Sequence, residues 1–351
     1  MSLDTPAPSV TSRRTGGSDF AELRRRVDDA GLLARRPRYY AIRFAAVAVA
    51  LVATWTTFVV VGNSWWQLLV AVGLAVVFAQ LALLAHDIAH RQVFRTRRPS
   101  EIAGRLVGNL GVGMSYGWWM DKHARHHANP NHEELDPDIA PTVLVWSQEQ
   151  ARDARPLAQF VAKYEAWLFF PLLCLEAFNL HWSSAQAVLD PKLKRRRLEG
   201  GLLLVHAVAY LGLVLAALPA GKAIAFIFVQ QALFGLYLGC SFAPSHKGMP
   251  TLRGGTEPDF LRKQVLTSRN VRGSVVKDVA LGGLNYQIEH HLFPSMPCPN
   301  LRAAQPIVKA FCAERDVEYA EAGLVESYRI ALHHMNSVGA ELRAASRAPA
   351  A

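Results

Sequence analysis

The sequence predicts an all-α membrane protein with four transmembrane helices and a helical cap that carries clustered histidines. Of its 351 residues, 51% are hydrophobic and 19% are charged, against about 25% charged residues in an average soluble domain. Three segments, residues 44–85, 200–221 and 223–245, contain no Lys, Arg, Asp or Glu. A helix needs about 20 apolar residues to cross about 30 Å of hydrocarbon, so the first segment holds two spans. We place the four spans at about 44–61, 65–85, 200–218 and 223–243.

The basic residues predict how the spans are oriented. Nine Lys and Arg precede the first span, 15 lie between the second and third, 13 follow the fourth, and only Lys222 lies elsewhere. Four spans put those three segments on one face, and the positive-inside rule makes that face cytoplasmic. The orientation of the spans therefore explains the net charge of +10, and no nucleic-acid partner is expected. Arg outnumbers Lys, as is typical of GC-rich bacteria, so we expect a bacterial cytoplasmic membrane with both termini and the cap in the cytoplasm.

The other segments divide the chain into one domain with two tails. Residues 1–18 are rich in Ser, Thr, Pro and Gly, which predicts a disordered N-terminal tail. Residues 19–335 form the domain, and residues 336–351 form a flexible Ala-rich tail. Within the domain, residues 20–38 predict a basic amphipathic helix that lies on the anionic leaflet. The apolar segment 104–117 is too short to span, and the four cysteines are expected to be reduced thiols.

Histidines are concentrated in three short clusters that follow the spans. They are His86-Asp-Ile-Ala-His90, His123-Ala-Arg-His126-His127 and Gln287-Ile-Glu-His290-His291. Residues three and four apart share a face of a helix, so the members of each cluster point together. A lone histidine on a helix is usually a hydrogen-bonded core or surface residue. Three clusters on one membrane face instead indicate a metal centre, because neutral imidazole is the commonest metal ligand in proteins.

The number of histidines predicts two metal ions. Seven histidines in the three clusters exceed the three or four ligands that one zinc ion takes. Imidazole suits zinc, copper, iron and nickel, so the residues alone leave the metal open. The spans contain no Glu-x-x-His pairs of the kind found in carboxylate-bridged di-iron bundles.

The clusters and their surroundings resemble the membrane fatty-acid desaturase family. Its signature is HxxxH, HxxHH and a final (H/Q)xxHH on a four-span scaffold. The similarity covers about residues 40–330 and extends to Trp-Trp-Met-Asp-Lys at 118–122, Asn-Pro-Asn-His-Glu-Glu-Leu-Asp-Pro-Asp at 129–138 and Asn-Tyr-Gln-Ile-Glu-His-His-Leu-Phe-Pro at 285–294. The glutamine that opens the third box resembles the acyl-CoA, front-end or linoleoyl-CoA-type, branch.

The resemblance implies an O₂-dependent enzyme that introduces a cis double bond into a fatty-acyl chain, with two iron ions as cofactors and O₂ as co-substrate. It also implies a set of metal ligands, which includes a histidine just after the fourth span. By position these are His86, His90, His123, His126, His127, His246, His290 and His291. Gln287 is a candidate to bind the metal or to hold a water molecule, and Phe242 stands where some members have Asn.

Several other polar residues are assigned more ordinary positions. Asp87, His132 and Asp136 are either partners that orient the ligands or simply helix and turn residues. His206 lies inside the third span, where a hydrogen bond between helices is expected. His181 and the pair at 333–334 are expected to be surface groups.

The resemblance also implies partners. The sequence has no His-Pro-Gly-Gly motif of a fused cytochrome b5, so electrons are expected from a separate ferredoxin, cytochrome b5 or flavin reductase. The acyl group is carried by CoA, a carrier protein or a phospholipid. One alternative is a related hydroxylase that acts on an acyl chain, an alkane or a carotenoid. A more remote alternative is a metal transporter, although transporters bind their substrates near the bilayer midplane and these spans contain one histidine away from their cytoplasmic ends.

Overall fold

The computed structural model describes residues 18–255 and 258–345, and its regular secondary structure is almost entirely helical. The first half of the chain contains α1 (Asp19–Asp29), α2 (Pro37–Val61), α3 (Gln67–Ala89), α4 (Arg97–Arg105), a π-helix (Leu106–Val112), α5 (Tyr116–Ala128), α6 (Gln148–Asp153) and α7 (Pro156–Leu173). The second half contains α8 (Glu176–Leu189), α9 (Arg196–Ala217), α10 (Ala220–His246), α11 (Phe260–Leu266), β1 (Asn270–Val271), α12 (Val275–Ala280), α13 (Gln287–Leu292), α14 (Cys298–Glu314), β2 (Glu321–Ala322), α15 (Leu324–Val338) and α16 (Ala340–Ala345). The all-α prediction is confirmed: the two strands are two residues long and pair in parallel.

Among the described residues, four helices are long and apolar enough to cross a membrane, as predicted: α2, α3, α9 and α10. In the most apolar windows of α3 and α10, 61% and 44% of the residues are buried, against 11% in α2 and α9. The inner pair therefore forms the centre of the bundle, where Phe78 of α3 meets Phe234 of α10 at 5.8 Å between ring centroids. At the far end of the bundle, Lys222 donates to the Asn63 side chain at 2.8 Å and joins the two short turns.

The apolar segment between the first two histidine boxes forms a hairpin beside α3 and α9. The π-helix packs against both helices, and the chain reverses at Gly113, whose φ of 82° is left-handed. The His206 ring is about ten residues into α9, about 15 Å from its start, and its Nδ1 donates to the Leu110 carbonyl at 2.9 Å. The hairpin therefore reaches the depth of the third span without crossing, and the expected hydrogen bond of His206 is confirmed.

A second histidine, His181, forms a hydrogen bond with the backbone at the turn of this hairpin. His181 donates from Nδ1 to the Gly113 carbonyl at 3.0 Å, and its Nε2 lies 3.1 Å from the Gln231 side chain. Backbone at membrane depth is tolerated only where protein groups satisfy its polar atoms. The prediction that His181 is a surface group is therefore wrong, because its partners come from segments far away in the chain.

Glu199, at the start of α9, joins both arms of the hairpin. Its carboxylate is fully buried. It accepts hydrogen bonds from four groups: Arg105 Nε at 3.1 Å, Asn109 Nδ2 at 3.3 Å, Ser115 Oγ at 2.6 Å and the Gly117 amide at 3.1 Å. Ser115 is also the N-cap of α5, where its side chain accepts from the Trp118 amide. This network fixes the beginning of α5, the helix that carries the second histidine box.

The helix predicted to lie on the lipid surface packs into the cap instead. α1 buries Leu23 and Val27 in a core with α11, α13 and α14. Its basic residue Arg26 pairs with Glu22 at 2.7 Å and with Glu314 at 2.8 Å. The prediction of a leaflet-bound helix is wrong, because the apolar face of α1 has a protein partner that periodicity alone does not reveal.

The helices near the C-terminus extend past the predicted end of the domain. The domain boundary expected at residue 335 falls inside α15, and α16 follows it. Residues 1–17, which make up nearly all of the predicted N-terminal tail, and residues 346–351 lie outside the described residues. All four cysteines are described and are free thiols, as expected.

Candidate metal centre

The histidine boxes meet where the inner membrane helices end under the cap. The end of α3 provides His86 and His90, and α10 ends at His246. The three histidines of the second box lie in the last turns of α5, and those of the third box lie in α13. Four separate helices therefore bring the eight predicted histidines together.

Five of these histidines form a first group, which we call the five-histidine cluster. Its members are His86, His90, His123, His127 and His290, and their ligand atoms lie within 4.8 Å of one another. The Nε2 atom of His123 lies 2.8 Å from Nε2 of His90 and 3.1 Å from Nε2 of His127. Trp119, one turn earlier in α5, stacks on the His123 ring with centroids 4.3 Å apart.

The other three histidines form the three-histidine cluster. Its members are His126, His246 and His291, all buried, and their ligand atoms also lie within 4.8 Å of one another. The side chain of Gln287 reaches the same place, with its Nε2 atom 2.9 Å from Nε2 of His246. The chain therefore offers two adjacent positions for metal ions, with five and three imidazoles.

The polar atoms in both clusters fit metal ions. The ring nitrogens His86 Nδ1 and Nε2, His127 Nδ1, His290 Nε2 and His291 Nε2 are buried and have no hydrogen-bond partner among the described residues. Burial, together with the neighbouring imidazoles, holds the pKa of His123, His127, His290 and His291 well below the ordinary value. These rings are therefore neutral and keep a lone pair, which is the form that binds metal. Each unsatisfied buried polar group costs about 1–3 kcal/mol, and coordination would remove that cost.

Each ring of the three-histidine cluster is held through its other nitrogen. His126 Nδ1 lies 2.9 Å from the Asp136 carboxylate, His291 Nδ1 lies 2.9 Å from Gln264 Oε1, and His246 Nδ1 lies 3.1 Å from the Thr267 carbonyl. An oxygen acceptor at Nδ1 fixes the proton there and leaves the lone pair on Nε2, which in His246 faces the Gln287 amide. Burial lowers the pKa of His126, but the carboxylates of Asp138 and Asp136 more than offset this effect and raise it.

The three candidate orienting residues occupy different places. Asp136 is buried and also accepts from the Asn131 amide at 2.8 Å. Asp87 forms a buried ion pair with Arg43 at 2.6 Å, and its other oxygen lies 3.5 Å from His86 Nδ1. The His132 ring lies 3.3 Å from the Glu134 carboxylate, and its backbone bridges to Leu252. Asp136 and Asp87 thus lie beside ligand candidates, and Asp136 makes the direct contact.

Several supporting residues were not predicted from the sequence. Gln264 and Thr267 lie in and after α11, with no motif to mark them. Glu289, inside the third box, is fully buried and accepts from Asn270 Nδ2 at 2.6 Å and from the Tyr319 hydroxyl at 2.7 Å. Burial raises the pKa of Glu289 to about 7. In the sequence, only its position next to His290 could have indicated a role for Glu289. In the structure, its hydrogen bond with Asn270 connects α13 to β1.

The fold and the site define a class: multi-pass membrane proteins that gather histidines from several helices beneath a helical cap. A family model described as fatty acid desaturase matches residues 63–323. The chain belongs to the fatty acid desaturase family. The front-end branch is not distinguished by this match and stays a prediction.

Several curated proteins are similar to this chain. The acyl-lipid (9-3)-desaturase of Physcomitrium patens is 35% identical over 262 residues, which are 72% of this chain and 49% of that protein. The Δ(8)-fatty-acid desaturase of Helianthus annuus is 26% identical over 80% of this chain and 64% of that protein. Fatty acid desaturase 3 of Bos taurus is 29% identical over 86% of this chain and 68% of that protein. The chain thus spans about half of the first relative and just under two thirds of the second.

Proposed function

We propose that this chain is an O₂-dependent fatty-acyl desaturase that introduces a cis double bond at a centre of two iron ions. The observation that carries the proposal is the convergence of eight histidines from four helices into two adjacent clusters, in which ring nitrogens of His86, His127, His290 and His291 have no hydrogen-bond partner among the described residues. Family membership supports the reaction type, and the similar proteins are named as desaturases of fatty acids or acyl lipids.

The residues divide between two metal positions. The five-histidine cluster would hold one iron ion, and the three-histidine cluster would hold the other, with Gln287 as a further ligand or as the holder of a water molecule. When bound, the iron pair supplies O₂ activation and the oxidation of unactivated C–H bonds. In the overall reaction, –CH₂–CH₂–, O₂, two electrons and two protons give –CH=CH– and two water molecules. The electrons come from a separate ferredoxin, cytochrome b5 or flavin reductase.

The protein itself positions the ligands and excludes water. Asp136, Gln264 and the Thr267 carbonyl fix the imidazoles of the three-histidine cluster. Burial and the neighbouring imidazoles hold the pKa of His123, His127 and His290 well below the ordinary value, so no proton competes with the metal at these rings. The acyl chain, on CoA, a carrier protein or a phospholipid, would occupy apolar space between the inner helices and the cap. We also propose that the site faces the cytoplasm, because nearly all Lys and Arg lie on that face.

Fatty-acid analysis tests this function. The chain, His126→Ala and His333→Ala are each expressed in a host that also supplies ferredoxin, cytochrome b5 and their reductases. Total fatty acids are then analysed by mass spectrometry with double-bond derivatisation. His333 is exposed and outside both clusters, so it is the matched control. A new unsaturated acid with the unchanged chain and His333→Ala, but not with His126→Ala, supports the proposal.

Other products would favour the alternatives. A hydroxylated acyl chain, alkane or carotenoid in place of the unsaturated acid would make the protein a hydroxylase. Iron uptake into vesicles without any oxidised product would make it a transporter. No new product from iron-loaded protein with all donors present contradicts the proposal.

A further inference from the structure

A separate cavity lies behind the helix of the second histidine box. It has a volume of about 540 Å³ and lies between α4, α5 and the loop from α8 to α9. Gly117 and Asp121 of α5 line it, whereas Trp119, His123 and His126 belong to the metal side of the same helix. At 100° per residue these two sets fall on opposite faces of α5. The cavity is therefore distinct from the candidate metal centre.

The cavity lies at the level where lipid head groups meet the membrane helices. Its wall includes Ala89, the last residue of α3, and Arg91 just beyond it. Its other side includes Lys192 and Lys194, which directly precede the start of α9 at Arg196. Basic residues at the ends of apolar helices occupy the interface between hydrocarbon and water. A ligand in this cavity would thus lie beside the phosphates of one leaflet.

Two of the three acidic residues of the cavity are paired with arginines. Three acidic and five basic side chains line it. Glu101 pairs with Arg97 and, at 3.3 Å, with Arg105. Asp121 pairs with Arg125 at 3.2 Å. Asp190 accepts a hydrogen bond from the Lys192 backbone amide at 2.9 Å.

Three cations remain without a partner. Among the residues that the structure describes, the exposed side chains of Arg91, Lys192 and Lys194 form no ion pair or hydrogen bond. They come from two segments far apart in the chain and line one cavity. Behind them, the buried guanidinium of Arg105 is held by Glu101 and Glu199. The cavity therefore presents net positive charge in a preformed recess.

We propose that this cavity binds the phosphate of a phospholipid head group. A phosphate diester accepts charge-assisted hydrogen bonds from Arg and Lys, and a volume of this size is typical of small-ligand sites. The same phosphate chemistry occurs in a soluble phosphate-bearing carrier such as coenzyme A. A bound phosphate joins the end of α3 to the loop before α9 and braces the back of the helix of the second box. The proposal does not depend on the proposed activity.

Lipid binding to the purified full chain tests the proposal. Phosphatidylglycerol is titrated into detergent-solubilised protein, and bound lipid is counted by native mass spectrometry. The variant Lys192→Gln/Lys194→Gln is compared with Arg24→Gln/Arg25→Gln, which removes the same charge from exposed positions of α1. At about 1 kcal/mol for each basic residue, the lysine variant binds about 30-fold more weakly. The α1 variant binds like the unchanged chain.

Two further measurements identify the molecule that carries the phosphate and control for misfolding of the variant. If coenzyme A does not displace the lipid, the site is assigned to the membrane lipid. If coenzyme A displaces the lipid from the unchanged chain but does not bind the lysine variant, the phosphate site is supported and its ligand is assigned to a soluble carrier. Arg91→Gln, from another segment, gives a second test if the lysine variant unfolds. Equal affinity in the lysine variant and the unchanged chain, equal losses in both double variants, or equal binding of uncharged diacylglycerol would overturn the proposal.

Discussion

The Nδ1 atom of His126 lies 2.9 Å from the carboxylate of Asp136, and both side chains are buried. Asp136 is in turn fixed by the backbone amides of Asn131 and Asp138, at 2.8 and 2.9 Å. A ligand ring held in this way has one orientation and one tautomer. The contact therefore turns the loop after the second box into a support for the three-histidine cluster.

Asp136→Asn is predicted to weaken this support while the clusters stay in place. Loss of such a partner typically lowers metal affinity about 10- to 100-fold. Iron titration of the purified variant should show one weakened site and one unchanged site. Asp28→Asn, at an exposed position of α1, is the control and should behave like the unchanged chain. Equal weakening of both sites in Asp136→Asn would point to general misfolding instead.

Glu199→Ala is predicted to destabilise the hairpin between the first two boxes. The substitution leaves Arg105, Asn109 and Ser115 without their shared acceptor. Removing one partner of a buried ion pair costs about 3–5 kcal/mol, and here the lower value is expected because Glu101 also contacts Arg105. Denaturant unfolding in detergent measures the loss. Glu326→Ala, which breaks an exposed pair with Arg329, should change stability by less than about 0.5 kcal/mol.

His206→Ala is predicted to lower stability without removing metal. The variant leaves the Leu110 carbonyl unsatisfied at membrane depth, at a cost of about 1–3 kcal/mol. Thermal unfolding and iron content are measured on the same preparation, with His333→Ala as the control. A variant that loses an iron ion but keeps its stability would show that His206 belongs to the metal centre.

The raised pKa of the buried carboxyl of Glu165 predicts that this residue makes stability depend on pH. This carboxyl in α7 is buried, and burial raises its pKa from 4.5 to about 8. Between these values the folded state holds a proton that the unfolded state has lost, so the contribution of Glu165 to stability falls as pH rises across this window. The nearby Lys247, with its pKa lowered by burial to about 8, adds its own effect only above that pH. Between pH 5 and 8 the stability of Glu165→Gln relative to the unchanged chain should increase with pH, and a difference that does not change with pH would contradict this prediction.

The sequence predicted the features that are local in the chain. The spans follow from uncharged stretches, and the boxes follow from residues three and four apart, which share a face on any helix. The sequence did not predict where His181 and α1 are placed, because their partners are distant in the chain. Nor did it predict the Thr267 contact with His246, because a backbone carbonyl leaves no trace in the residue type. The hairpin turn at Gly113 depends on packing against α3 and α9, which periodicity within 104–117 does not contain.

The most direct test of the two-site metal centre is the iron content of the purified chain after anaerobic reconstitution. We predict two iron ions per unchanged chain and per His333→Ala chain. His246→Ala, which changes only the three-histidine cluster, should keep about one. A single iron ion in the unchanged chain, or two in His246→Ala, would contradict the assignment of eight histidines to two adjacent metal positions.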